Sequence, residues 1–311
     1  MAKILITESV HPIGPELLTA AGHTVVYADR DMDVIRREIV DADAVLVRII
    51  ELPGSLLATA KNLKIVSKHG VGYDNIDLDY CKSHGIAVTI TPNANSLSVA
   101  EHAFTLMLTL AKNIIPVSNE YRTVGFAAKN HAPGIEMTGK TLGLIGMGRI
   151  GKHVLHMCKD GLDMHVIVYD PYISEIPEGV EKVDDLSELL RRADVVTLHC
   201  LLTDETRKLI DRERLALMKP TALLINCARG PIVDEAALIE ALESGRLAGP
   251  GLDVTDPEPV APDSPLFKLP NVIVTPHYAP TTVESATRVS KIAAENINAV
   301  LAGQEPVGRI V

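Results

Sequence analysis

Three polar residues follow three short apolar runs late in the chain. Arg229 comes after the run 223–226, Glu258 after 251–254 and His277 after 272–275. Ligands of open α/β sheets bind beyond the carboxyl ends of the strands, so side chains placed there are expected to converge on one crevice. Histidine changes protonation near neutral pH and can give a proton to a carbonyl oxygen. A neighbouring carboxylate would orient its ring, and a guanidinium can hold a substrate carboxylate and polarise the adjacent carbonyl. Together these groups suit hydride chemistry on a keto acid. Singly, each has an ordinary structural reading: a surface ion pair for Arg229, a solvent-facing acid between prolines for Glu258, a structural imidazole for His277. Ten further histidines are present, and none has a partner set with metal-ligand spacing; no metal is expected. His199, at the end of the run 195–199, is read as lining the site and not as its acid.

The sharpest local motif is Gly146-Met147-Gly148-Arg149-Ile150-Gly151, which follows an apolar run at 141–145 and precedes a helical pattern through 153–159. In that setting Gly146 permits the tight turn, Gly148 lets backbone approach a pyrophosphate, and Gly151 lets helix and strand pack closely. The helix N-terminus adds free N–H groups and a favourable dipole. Asp170 ends the next run, 165–169, and stands 19 residues after Gly151. That is close to the spacing of roughly 20 expected for the acid that binds the ribose hydroxyls, which repels a 2′-phosphate and predicts NAD over NADP. A solvated turn before Pro171 is the plainer alternative.

The elements needed to position these residues are legible as apolar runs alternating with amphipathic stretches, the mark of βα units and a buried parallel sheet. Strands are expected at 3–6, 24–28, 44–48, 64–67 and 86–90, then, after a turn-rich break at 91–96, at 141–145, 165–169, 195–199, 222–226, 251–254 and 272–275. One long helix over 98–113, ended by Pro116, is expected to lead into the second series, and a last helix at 283–301 to return to the first. The fold class is therefore α/β with two open parallel-sheet domains: a smaller substrate domain of residues 1–97 and 281–311, and a Rossmann NAD-binding domain of residues 98–280. The 311 residues suffice for two such domains, and 47% apolar with 23% charged residues is ordinary for a globular protein. A net charge of −10 with no basic stripe disfavours nucleic acid. No apolar stretch approaches a membrane span or a signal peptide, and Cys81, Cys158, Cys200 and Cys227 show neither C-x-x-C nor zinc spacing. Reduced thiols and a cytoplasmic location are the expectation.

These motifs, with Lys68-His69-Gly70-Val71-Gly72-Tyr73-Asp74-Asn75-Ile76-Asp77, Asn95 to His102, Val233-Asp234-Glu235 and Thr275-Pro276-His277, resemble the D-isomer-specific 2-hydroxyacid dehydrogenases from about Ala44 to the end of the chain. The resemblance is strongest to the 3-phosphoglycerate dehydrogenase and hydroxypyruvate/glyoxylate reductase branches. It implies a flavodoxin-like substrate domain and a Rossmann domain around a cleft, and a small 2-keto or (R)-2-hydroxy acid as substrate. It implies that Arg229, Glu258 and His277 are the catalytic set. Gly146, Gly148, Arg149, Ile150, Gly151 and Asp170 would bind NAD, with Cys200, Ala228, Asp253, Arg229 and His277 on its nicotinamide side. Val71 and Gly72 would receive the substrate carboxylate through backbone N–H groups, and Arg48 would face a distal phosphate or acid. A homodimer built through the nucleotide domain is also implied, and no regulatory domain or serine feedback is expected beyond the last helix. The chain departs from the family at Leu201, Tyr278, Pro280 and the segment 49–52, which bears on substrate identity. A non-enzymatic NAD-sensing corepressor-like protein is the alternative from another class. Formate dehydrogenase is disfavoured by the Glu258–His277 pair.

Overall fold

The computed structural model describes all of residues 1–311. It divides into two compact units, Met1–Asn95 with Pro280–Val311, and Ser96–Ala279. The first unit carries β1 (Lys3–Ile6), β2 (Thr24–Tyr27), β3 (Ala44–Val47), β4 (Ile65–Lys68) and β5 (Ala87–Thr89). They form a sheet of order β2-β1-β3-β4-β5, parallel throughout, the flavodoxin-like order. Alternate residues feed opposite layers, as strand geometry requires. Leu5, Val45, Val47, Val66 and Val88 pack on one face with Ile35, Leu57 and Cys81. Ile4, Ile6, Leu46 and Ile65 pack on the other with Leu18, Ala293 and Ile297. The last two belong to the helix Val283–Leu301, which therefore completes the first unit, capped at its start by the Thr282 hydroxyl.

The second unit carries β6 (Thr141–Ile145), β7 (His165–Tyr169), β8 (Val180–Lys182), β9 (Val195–Leu198), β10 (Leu223–Asn226), β11 (Gly249–Leu252) and β12 (Ile273–Val274). Their order is β12-β11-β10-β9-β6-β7-β8, all parallel. The strands that carry Arg229, Glu258 and His277 beyond their carboxyl ends are thus neighbours on one side of β6, and Asp170 lies on the other. The doubly wound sheet has seven strands where six were expected. The additional one, β8, is a three-residue edge strand with two charged residues, too short and too polar to register as an apolar run. Strand β11 begins two residues earlier than expected, because Gly249-Pro250-Gly251 reads as a turn. A Cβ on Gly251 would lie 2.9 Å from Leu106 Cβ, so the glycine admits the helix Ser96–Ala111 against the sheet.

The expected single helix over 98–113 is two helices. The first, Ser96–Ala111, starts two residues earlier; Asn113 then takes a left-handed conformation, and a second helix runs Ile114–Val124. Pro116 falls within the first turn of that second helix, where its missing N–H has no intrahelical partner to lose. Proline here begins a helix instead of ending one. No helix is long and apolar enough to cross a membrane.

Candidate active site

The glycine loop joins β6 to the helix Arg149–Leu162. Gly146 has φ +89°, and a Cβ there would lie 2.7 Å from the backbone N of Cys200. A Cβ on Gly151 would lie 2.2 Å from the Gly146 oxygen, while one on Gly148 would meet nothing within 4 Å. Gly146 therefore seats the loop against the backbone after β9, Gly151 closes it against the backbone of Gly146, and Gly148 leaves its outer face open beside the helix N-terminus. Asp170 stands at the end of β7 and secures the loop: one carboxylate oxygen accepts from Met147 N at 2.8 Å and the other from Tyr172 N at 3.0 Å. A carboxylate has about four lone-pair directions, so capacity for ribose hydroxyls remains. Arg149 is exposed and Ile150 half-buried at the start of the helix. Backbone N–H groups at an open helix start, no side chain on their outer face and an acid at the next strand end fit a dinucleotide.

On the opposite side of β6, Asn226 at the end of β10 brackets the next turn. Its amide donates to the Arg229 oxygen at 3.0 Å and its oxygen accepts from Ala228 N at 3.0 Å. Arg229 donates through Nη1 to the Ala228 oxygen at 2.8 Å. Beyond β12, His277 has φ +53°, an uncommon conformation for a residue with a Cβ. Asp253, only 1% exposed, sustains it. Its backbone oxygen accepts from His277 N, and its carboxylate accepts from Thr275 Oγ1 at 2.6 Å, Tyr278 N at 2.7 Å and Ala279 N at 2.9 Å. His102, on the helix Ser96–Ala111, backs the same carboxylate at 3.4 Å and Thr275 Oγ1 at 3.0 Å. Burial by itself would push the Asp253 carboxyl up, but His102, Thr275 and the two N–H donors outweigh it and hold it below the usual range. Held this way, His277 receives Glu258 Oε1 on Nδ1 at 2.6 Å. The pair is about one-third exposed, 30% and 35%. A carboxylate on Nδ1 fixes the ring and leaves Nε2 as the atom that can give or take a proton. His102 carries no local sequence signal for this supporting part, since it reads as one more residue of an amphipathic helix.

His199 lies at the end of β9 with Nε2 2.8 Å from Thr197 Oγ1 and Nδ1 without a partner. Burial pushes its imidazole down to about 3, and burial pushes the Cys200 thiol up to about 11. Both are neutral near pH 7. In the first unit, His69 is likewise pushed down to about 3 by burial, then by the Arg48 and Lys68 charges. The loop it opens turns at Gly70, φ +145°, whose oxygen accepts from Thr91. The N–H groups of Val71 and Gly72 point at no acceptor of the protein. Arg48, just after β3, donates through Nη1 to the Ser9 oxygen at 2.9 Å.

The two half-buried histidines, each with one ring nitrogen buried and unpartnered, make a pH prediction. Their folded pKa values lie below the unfolded value of 6.5, so the unfolded chain binds more protons across that window. The stability they contribute is complete above about pH 6.5 and is lost as pH falls towards 3. At pH 5 the loss is about 2 kcal/mol for each. Tm measured by circular dichroism should therefore fall steadily from pH 7 to 5; a Tm that stays level or rises would contradict neutral burial.

Residues 104–279 match the model of the NAD-binding domain of D-isomer specific 2-hydroxyacid dehydrogenases. The chain belongs to that family. It is 42% identical over 98% of its length to D-3-phosphoglycerate dehydrogenase of Methanocaldococcus jannaschii, of which it spans 58%. It is 38% identical to glyoxylate reductase of Thermofilum pendens, covering 98% of this chain and 93% of that one. Among solved structures, D-lactate dehydrogenase from Aquifex aeolicus, complexed with NAD and lactic acid, matches at 33% identity with a TM-score of 0.88, covering 96% of each chain. The chain spans little more than half the length of the phosphoglycerate dehydrogenase it matches. The second unit is a family NAD-binding domain, and NAD is the cofactor.

Proposed function

We propose that this chain interconverts a small 2-keto acid and its (R)-2-hydroxy acid, with Arg229, Glu258 and His277 as its catalytic residues. The observation that carries the reading is the His277–Glu258 hydrogen bond of 2.6 Å, set beyond neighbouring strands of an NAD-binding sheet whose third neighbour carries Arg229. NAD supplies hydride chemistry when bound, and Gly146, Gly148, Arg149, Ile150, Gly151 and Asp170 would hold it. Cys200, Ala228 and Asp253 belong to its nicotinamide side. His277 gives a proton from Nε2 to the carbonyl oxygen in the reducing direction and recovers it in the oxidising one. Glu258 holds the ring in register and balances its charge. Arg229 polarises the carbonyl and clamps the substrate carboxylate. Val71 and Gly72 offer that carboxylate their two unengaged N–H groups, and Arg48 is assigned the group beyond C2. A phosphorylated hydroxypyruvate is the first substrate to try, given the phosphoglycerate dehydrogenase relative. Glyoxylate and hydroxypyruvate come next, because the glyoxylate reductase relative is matched over nearly its whole length.

The test is NADH oxidation with a panel of 2-keto acids. Turnover with at least one is expected, and tight NADH binding without any turnover would favour an NAD-sensing protein instead. NADH should be preferred to NADPH, and Asp170→Ser should raise kcat/KM for NADPH by about tenfold, since the acid repels a 2′-phosphate. Equal use of both cofactors by the unaltered enzyme would remove Asp170 from its assigned role.

A homodimer accompanies this reading. The helix Ile114–Val124 buries none of its residues, and Ile114, Ile115, Tyr121, Val124 and the following Phe126 all lie exposed. An apolar patch of this kind marks an interface, and a second copy of the chain is its proposed occupant. Light scattering should give twice the 33.5 kDa of one chain; a monomer at micromolar concentration would refute it.

A further inference from the structure

One buried acid is used by none of these steps. Glu8 follows β1 and is 1% exposed. Its Oε2 accepts from Arg48 N at 2.7 Å and from Thr7 Oγ1 at 2.6 Å, and its Oε1 accepts from Ile49 N at 2.7 Å and Ile50 N at 3.2 Å. A single carboxylate thus takes three consecutive backbone donors of the segment that opens with Arg48. The carbonyls of that segment are held from the other side. Lys68 Nζ donates to the Arg48 oxygen and, at 2.5 Å, to Asn75 Oδ1, and Asn75 Nδ2 donates to the Ile50 oxygen at 2.7 Å. Lys68 and Asn75 are 6% and 7% exposed. They also flank the segment 69–74, which contains Val71 and Gly72. One network of buried charge and amide therefore joins the segment at Arg48 to the loop at Val71 and Gly72.

Buried charges cost several kcal/mol unless they are fully hydrogen-bonded. A strand-end turn with no other task could be closed by backbone bonds alone, so a carboxylate and an ammonium committed to two short loops call for a reason beyond folding. We infer that Glu8 is a positioning residue for substrate binding: it fixes the Arg48–Ile50 backbone and, through Lys68 and Asn75, the pitch of the Val71–Gly72 N–H groups. The inference rests on the dehydrogenase reading, which gives both segments to the substrate. Both carboxylate oxygens of Glu8 are committed to donors of the protein, so its loss acts on KM and not on the chemical step.

Glu8→Gln keeps the shape of the side chain but sets an NH2 group against a donor. Expected in steady-state assays of the full chain with glyoxylate, hydroxypyruvate and phosphohydroxypyruvate is a KM raised tenfold or more for each acid the wild type uses. The kcat should stay within threefold and the KM for NADH within twofold. Glu8→Asp, which retains the carboxylate, should recover part of the loss. Hydrogen exchange at the amides of Arg48, Ile49 and Ile50 should quicken at least tenfold in Glu8→Gln. A merely structural role would lower kcat through a reduced active fraction and leave KM alone, and that result overturns the inference, as does an unchanged KM. If Glu8→Gln does not fold, Asn75→Ala, which cuts the same segment from its carbonyl side, must show the KM rise, and an unchanged KM there is equally decisive. A wild type inactive on every acid overturns the dehydrogenase reading itself, a result distinct from an active wild type whose variants keep its KM.

Discussion

His277→Gln is expected to lower kcat for keto-acid reduction by about a thousandfold, within the usual range for removal of a general acid. The affinity for NADH, read by its fluorescence, should change little. Glutamine can hydrogen-bond to Glu258 and to a substrate carbonyl, but its amide is too weak an acid to transfer a proton. Two other titratable groups of this region are already committed: Glu258 to the ring it orients, at 2.6 Å, and His102 to Asp253 and Thr275. The positive φ at His277 is imposed by backbone and carboxylate bonds to Asp253, not by the imidazole. The loop should therefore keep its form in the variant, and the loss should fall on kcat more than on Tm. A kcat within tenfold of the wild type would remove His277 from the role of proton donor and take the proposed mechanism with it.

The sequence discloses this site unevenly, for physical reasons. Spacing fixed by a covalent repeat survives translation into structure: the glycine loop, Asp170 and the three strand-end residues all lie where the alternation of strand and helix places them. Features that depend on tertiary contact do not. The family resemblance puts Asp253 on the nicotinamide side and says nothing of a supporting part, yet in the fold its carboxylate takes three hydrogen bonds that shape the loop of His277. The start of β11 hides behind Gly249-Pro250-Gly251, because what selects glycine at 251 is a helix contact contributed by Leu106, far away in sequence. Pro116 misleads because the same residue can stop a helix or sit in the first turn of one, and only the left-handed Asn113 before it decides. Glu8 also stands beyond the carboxyl end of a strand, β1. Its partners at 48–50 carry no signal of their own, since it is their backbone that it binds.

The glycines of the second unit separate what the fold requires from what the ligand requires, and two alanine substitutions should behave oppositely. A Cβ on Gly230 would stand 1.9 Å from the Thr255 oxygen, 2.2 Å from its carbonyl carbon and 2.9 Å from Asp256 N. All are backbone atoms, so no side chain can swing aside. The turn after β10, which carries Arg229, must then part from the segment after β11, which leads to Glu258. Overpacking of this severity costs about 3 kcal/mol or more. In a unit of about 180 residues that is a fall in Tm of roughly 6–12 °C. Keto-acid turnover should fall as well, because the clamp and the acid of the proton donor are displaced together. Gly148 presents the reverse case. Its φ of −72° suits any residue, and a Cβ there meets nothing within 4 Å. Gly148→Ala should therefore leave Tm within about 1 °C, yet its methyl projects over the open face of the loop where a pyrophosphate must approach the backbone. NADH affinity should drop by about tenfold or more, a cost of about 1.4 kcal/mol. If Gly230→Ala kept its Tm, the close approach of the two segments would be wrong. If Gly148→Ala kept its affinity for NADH, the open face of the glycine loop would not be where the cofactor binds, whatever the rest of the motif suggests.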